Sequence, residues 1–341
     1  MATPAFDPSA AAQPGSGIFG LPFTKKDARV VLIPVPFDAT TSYSRGTMFG
    51  PTAIFNASMQ VDLYDRRLGR IYERGIFMLD EVVRIRELCE EAAKLGEDII
   101  ANGGAEEGNE EDEKDLKEIA RCCEEVNRYV KAEAAKVLRD GKIPGIVGGE
   151  HSVPFGAIEA STEKHGDIGI LHIDAHMDLR PAFEGFQWSH ASIMHNVLTR
   201  IPGVKKLVQV GIRDFGENEL DFAKSQGDRV VVHFDDVNAE RLMNGETWPA
   251  LCKEFIAALP QKVYVSFDID GLDPSLCPHT GTPVPGGLSF HQASMLLEAL
   301  KNSGKTVVGF DLVEVGPSTV EGDEWDANVG ARILYKMCGI A

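Results

Sequence analysis

Asp174, His176 and Asp178 stand at alternate positions directly after the apolar run Gly169-Ile170-Leu171-His172-Ile173. An extended chain repeats every second residue, so these three metal-binding side chains leave the end of a buried strand on one face. A second run, Val263-Tyr264-Val265-Ser266-Phe267, ends in Asp268-Ile269-Asp270, again with carboxylates two apart. A third, Ile143 to Val147, passes through Gly148-Gly149, a pair that allows a tight turn, into Glu150-His151-Ser152. A chain of this kind must bring several strand ends, each carrying acids or a histidine, to one edge of a sheet.

Each segment alone has a plainer reading. A single D-x-H-x-D also suits an exposed, hydrogen-bonded loop, and a single D-x-D after a strand is a weaker signal still. Their joint occurrence, each behind its own apolar strand, speaks for a cation site, because acids packed together without cations repel one another and raise their own pKa values. Two histidines and four aspartates (His151, His176, Asp174, Asp178, Asp268, Asp270) are too many for one tetrahedral zinc. They suit two divalent ions sharing carboxylates, whose charge the four acids would neutralise. Oxygen-rich ligation without thiolate favours Mn²⁺, and Ni²⁺ suits the same donors.

Composition narrows the partners. The formal charge of −18 argues against nucleic acid and anionic membrane surfaces, which need a basic footprint, and would draw in a small cationic substrate. The six cysteines show no C-x-x-C spacing, and neither a signal peptide nor a long apolar span is evident, so a reducing, cytoplasmic setting is expected.

Along the chain, residues 1–28 read as an N-terminal arm, disordered or lying on a partner subunit, with order expected from near Arg29. Residues 29–341 read as a single catalytic domain. Short β-branched runs recur at Arg29 to Pro34, Ile143 to Val147, Ile168 to Ile173, Lys206 to Val210, Arg229 to Phe234, Lys262 to Phe267 and Thr306 to Leu312. Helical periodicity lies between most of them, clearest at Ala93 to Ile100, Asp115 to Leu138 and Gln292 to Lys301. This alternation predicts a mainly parallel sheet covered by helices on both faces, a three-layer α/β/α sandwich. The acidic run Glu106 to Glu113, within 101–115, is expected to be a solvated loop without a catalytic role.

Together these segments resemble the ureohydrolase family of arginases and agmatinases. The resemblance runs from about Val30 to the C-terminus and is carried by Gly148 to Ser152, Asp174 to Asp178, Ser266 to Pro274, Thr280 to Pro283 and Gly286 to Leu288. It implies a parallel sheet of about eight strands and a trimer or hexamer. It implies one ion held by His151, Asp174, Asp178 and Asp268 and the other by Asp174, His176, Asp268 and Asp270, with Asp174 and Asp268 bridging. By the same resemblance Glu314 pairs with the substrate guanidinium and His190 shuttles protons, as a histidine with an ordinary pKa can near neutrality. The activity implied is hydrolysis of a guanidino C–N bond with release of urea, coordinated water being activated by the two ions.

The substrate is approached through two loops, 37–47 and 183–188, the second with Phe183, Phe186 and Trp188 where arginases carry a polar loop. An aromatic, acidic mouth favours a decarboxylated, agmatine-type substrate over arginine. Free guanidine is the main alternative, given the Gly20 to Thr24 segment similar to that of guanidine hydrolases. Guanidinobutyrate and guanidinopropionate would call on Arg45 or Arg180 as carboxylate partners. Two further classes compete: a single-zinc deacetylase-like amidohydrolase, which the complete second ligand set opposes, and a non-catalytic paralogue, which would have lost ligands. His172, inside an apolar strand, and His195 read as structural, and Asp273-Pro274 as a turn.

Overall fold

In a computed structural model, which describes residues 6–341, one eight-stranded sheet runs through the chain. Its strands are β1 (Val30–Val35), β2 (Ile76–Met78), β3 (Ile143–Gly148), β4 (Ile168–Ile173), β5 (Val204–Ile212), β6 (Val230–Phe234), β7 (Lys262–Asp268) and β8 (Thr306–Val313). They lie in the order β2-β1-β3-β8-β7-β4-β5-β6, and all seven pairings are parallel. The seven strands expected from sequence are present. The one not foreseen, β2, is a three-residue edge strand, too short to leave a periodic signal.

Strands β1 and β4 are buried at every position, and β7 at all but its first, as a parallel sheet with both faces covered requires. Two apolar cores result, one on each face. On one side Leu32, Leu171 and Phe267 pack with Phe255, Leu296 and Leu334 from helices Trp248–Ala257, Phe290–Asn302 and Trp325–Ile340. On the other, Ile33, Ile170 and Tyr264 meet Val130, Ile158 and Val197 from Glu110–Arg139, Phe155–His165 and Ile193–Arg200.

Two expectations are corrected. The arm does not stay apart from the body: Ile18, Phe19 and Leu21 are buried in the first core, the Phe19 ring lies 4.8 Å from that of Tyr335, and the Phe19 amide donates to Ser58 Oγ at 2.9 Å. Order therefore begins well before Arg29; residues 1–5 of the arm lie outside the described residues. Nor is Glu106 to Glu113 wholly a loop, since a helix starts at Glu110. The Asn109 side chain accepts from the amides of Glu111 and Asp112, and four acids occupy the first turn. There they meet the positive end of the helix dipole, so the like charges that argued for a loop instead start a helix.

Candidate active site

Parallel strands present all their carboxyl ends at one edge, and β3, β8, β7 and β4 are consecutive neighbours. The loops leaving them carry His151, Glu314, the Asp268–Asp270 pair and the Asp174–Asp178 segment. All eight site residues foreseen are buried except His176, which is partly open.

The donors form two groups. His151 Nδ1 lies 3.0 Å from Asp174 Oδ2, 3.2 Å from Asp178 Oδ2 and 3.1 Å from Asp268 Oδ2. His176 Nδ1 lies 3.1 Å from Asp270 Oδ2 and 3.5 Å from Asp174 Oδ1. Asp174 thus turns one oxygen to each histidine, the disposition a bridging carboxylate needs. Asp268 joins the His151 group, whereas the second close-packed set comprises Asp174, His176 and Asp270. Asp268 Oδ1 accepts the Asp270 amide at 2.9 Å.

Hydrogen bonding identifies the free nitrogen of His151. Its Nε2 is 2.8 Å from Ser266 Oγ, which donates to Asp311 Oδ1 at 2.9 Å. With the Ser266 proton committed to the carboxylate, the imidazole proton sits on Nε2 and donates to Ser266. Nδ1 is left bare, buried, and without a hydrogen-bond partner among three carboxylates. A bare nitrogen facing three carboxylates is the arrangement a bound cation needs, and such orienting contacts are typical of ligating histidines. Without a cation, burial opposes a charge on His151, but the same three acids raise its pKa well above the ordinary value. The sequence reading did not single out Asp311 or Ser266 for this part; an acid inside the β8 apolar run was the available signal.

The electrostatics agree. Burial, then the charge of Asp174, pushes Asp178 up to about 6. Burial, then Asp270 and Asp174, pushes Asp268 well above the carboxylate range. Asp174 goes the other way: burial opposes its charge, but His172, His151 and His176 hold it well below its ordinary value. The acids cannot all ionise without added positive charge, which two divalent ions would supply.

Glu314 sits at a strained position, with φ of 61° just after β8. Its backbone is held there because its amide donates to Gly149 O at 2.7 Å and its carbonyl accepts from Thr280 Oγ1 at 2.8 Å. Oε1 accepts the His151 amide at 2.8 Å, and Oε2 is buried without a partner. Burial, then Glu150, raises its pKa well above the ordinary range, the condition of an acid awaiting a cation.

His190 bridges toward this acid: Nδ1 is 3.7 Å from Glu314 Oε1, and Nε2 is 3.3 Å from Ser42 Oγ. The expectation that it keeps an ordinary pKa is not met. Burial, then His176 and His151, lowers it to about 3, so the ring is neutral at physiological pH.

The mouth loops are held from below. Glu150, buried, accepts from the Thr40 amide at 2.8 Å, Thr40 Oγ1 at 2.7 Å and Ser152 Oγ at 2.5 Å. Asp38, also buried, accepts from Arg45 Nη2 and the Gly46 amide, both at 2.8 Å. Arg45 is thus spent on its own loop. Arg180 lines the pocket, but its Nε lies 3.2 Å from Glu219 Oε2 and its guanidinium stacks 4.5 Å from the Phe183 ring centre. The expected aromatic mouth is only partly present: Phe183 lines the pocket, whereas Phe186 and Trp188 face the core. His195 is separate from the pocket and stacks on Phe222. The Asp273 carboxylate accepts the Ser275 amide at 2.8 Å, the expected turn.

Close packing under the site gives a stability prediction. A Cβ on Gly149 would lie 2.1 Å from Phe37 O, a backbone atom that cannot swing away. Gly149→Ala is expected to lower unfolding free energy by about 2 kcal/mol or more, read as a shifted urea midpoint at unchanged slope.

A parallel α/β sheet with paired imidazole–carboxylate donor groups and a lone buried acid at its carboxyl edge defines a class of metal-dependent hydrolase centres. The chain belongs to the Arginase family, which it matches over residues 28–339. It is 35% identical over 317 residues to the N(1)-aminopropylagmatine ureohydrolase of Thermus thermophilus, covering 92% of this chain and 91% of that protein. It is 30% identical to the Synechocystis protein of the same name, covering 92% and 89%. The agmatine ureohydrolase structure of Thermoplasma volcanium superposes with a TM-score of 0.70 at 25% identity, covering 93% of this chain and 91% of that one. Family membership opposes the single-zinc deacetylase-like alternative. No helix of the described residues is long and apolar enough to cross a membrane.

Proposed function

We propose that this protein hydrolyses the guanidino group of an agmatine-type substrate, releasing urea, with two divalent ions held by His151, Asp174, Asp178 and Asp268 and by Asp174, His176, Asp268 and Asp270. The observation that carries the reading is Asp174 turned toward both histidines, beside the unpartnered Glu314 Oε2. When bound, the ions lower the pKa of shared water towards neutrality, and Mn²⁺ or Ni²⁺ suits these donors. Glu314 is placed to accept from a planar fork of N–H donors, and that contact orients the reacting carbon. His190, neutral and within reach of Glu314 and Ser42, is placed to take up the proton that the attacking water releases and hand it to the departing amine. Burial of the pocket strengthens each of these contacts.

The mouth supports a cationic tail. Asp214 lines the pocket, is exposed, and has no cationic partner among the described residues, whereas Arg45 and Arg180 are engaged by Asp38 and Glu219. That balance suits an alkylammonium tail and disfavours the carboxylates of guanidinobutyrate and guanidinopropionate. Relatives named for aminopropylagmatine and agmatine point the same way. A second reading, free guanidine, is supported by the small cavity of about 130 Å³.

Urea release measured across agmatine, aminopropylagmatine, guanidine, arginine, guanidinobutyrate and guanidinopropionate, with Mn²⁺ and Ni²⁺ in separate series, tests this. Agmatine or its aminopropyl derivative should give the highest kcat/KM; a preference for guanidine or for a carboxylate-tailed compound would refute the substrate assignment. His190→Ala should lower kcat by roughly 10²- to 10⁴-fold while retaining bound metal, the size of a general acid–base contribution. Metal loss in that variant would instead make His190 part of the ion site.

A further inference from the structure

His172 was expected to be an ordinary core histidine, and it is indeed fully buried in β4. Its contacts give it more to do. Gln209, on the neighbouring β5 and paired in register with it, places Nε2 2.8 Å from Met177 O and 2.9 Å from His172 Nδ1. A carbonyl only accepts, so the Gln209 amide must present its NH₂ group there, and the second proton of that group points to His172 Nδ1. Nδ1 is therefore an acceptor and the imidazole proton resides on Nε2. Nε2 in turn is 2.8 Å from Asp174 Oδ2. The chain of bonds runs from the Met177 carbonyl, through Gln209 and His172, to the carboxylate that faces both donor groups. It begins and ends on the segment 174–178, so it fixes the shape of that segment as well as the angle of one side chain.

We infer that His172, oriented by Gln209, is a positioning residue for the shared carboxylate Asp174 and thereby sets how tightly the protein holds its pair of ions. The inference rests on the paired-ion reading above. Asp174 has few other restraints: its Oδ1 accepts the His176 amide at 2.6 Å, and Oδ2 has His172 as its hydrogen-bond donor apart from the histidine that faces it across the cation site. Without the Nε2–H donor, Oδ2 would be free to turn within a cluster of like charges, and the ordering of that carboxylate would fall on the ions themselves. His172 is not itself placed as a ligand, because both ring nitrogens are already committed to Gln209 and Asp174. Orienting contacts of this kind are commonly worth about 10- to 100-fold in metal affinity. The arrangement mirrors the Ser266–Asp311 pair behind His151, so each of these two donors has its own support from a neighbouring strand.

The test uses the full-length protein, stripped of metal and titrated with Mn²⁺ alone, in the wild type and in Asp174→Ala, His172→Phe, His172→Gln and Gln209→Leu. Affinity, stoichiometry, the electron paramagnetic resonance signature of a coupled Mn²⁺ pair and the thermal midpoint of the metal-free protein are read together. Two ions in the wild type and fewer in Asp174→Ala establish the site; a wild type that takes up none or one defeats the paired-ion reading itself. Given two ions, His172→Phe should bind Mn²⁺ about 10- to 100-fold more weakly and lose the coupled signature, with the metal-free midpoint little changed. His172→Gln, which can still offer an N–H near the position of Nε2, should recover much of the affinity. Wild-type affinity in His172→Phe overturns the inference, as does failure of His172→Gln to improve on it. Should His172→Phe not fold, Gln209→Leu decides: unchanged Mn²⁺ affinity there overturns the inference too.

Discussion

Replacing Asp174 by alanine is expected to reduce urea release by about a thousandfold or more and to lower the number of bound ions below two per chain. The residue faces His151 with one oxygen and His176 with the other, so its loss disturbs both donor groups at once. A pair of divalent ions would acidify water held near it towards neutrality, so a variant unable to hold the pair would lose its nucleophile at neutral pH. Asp268→Ala should also abolish activity and lower metal content, since Asp268 reaches His151 and, in the proposed ligand set, both ions. Metal analysis after desalting, alongside the urea assay, checks both variants. Near-normal turnover in Asp174→Ala would remove the basis of the proposed function.

Glu314→Gln carries the second large effect, and its two readouts should move in opposite directions. Catalytic efficiency should fall by about 100-fold or more, because two charge-assisted bonds to a guanidinium are each worth about 1.5–3 kcal/mol. Stability of the substrate-free protein should rise. Burial and the nearby Glu150 raise the Glu314 pKa in the folded state. A raised carboxyl contributes stability that is complete below its unfolded pKa of about 4.3 and is lost as pH climbs through the folded value. An amide carries no such loss, so the thermal midpoint of Glu314→Gln should exceed that of the parent at pH 8 and approach it at pH 4. The metal-free, substrate-free forms are the ones to compare, by calorimetry at the two pH values, because bound cations would themselves lower the Glu314 pKa. A variant with full kcat/KM would show that Glu314 does not meet the substrate, and a variant destabilised at pH 8 would show that its charge is already satisfied.

The same acid illustrates why some of the site was legible in the chain and some was not. Glu314, His151 and the two aspartate clusters each end an apolar run, and period-two spacing places their side chains without knowledge of any neighbour. The groups that govern them lie far off in sequence. Ser266 orients His151 across 115 residues and is itself held by Asp311 across a further 45, and Gln209 reaches His172 across 37. Nothing local marks a polar residue within a strand as a partner rather than a packing compromise. The depressed pKa of His190 belongs to the same class, since burial is a property of the assembled loops.

What the linear order settled by itself is the alternation of strands and helices and the parallel sheet, and it supplied the candidate donors, because each follows from local periodicity and from side-chain chemistry. What only the folded chain decided is pairing. Strand order sets β3, β8, β7 and β4 side by side, divides the donors into two groups around Asp174, occupies Arg45 and Arg180 with internal acids, and draws Ile18 to Leu21 into the core. Contacts between segments distant along the chain depend on which strands become neighbours, and that choice is made by the whole apolar core rather than by any one segment.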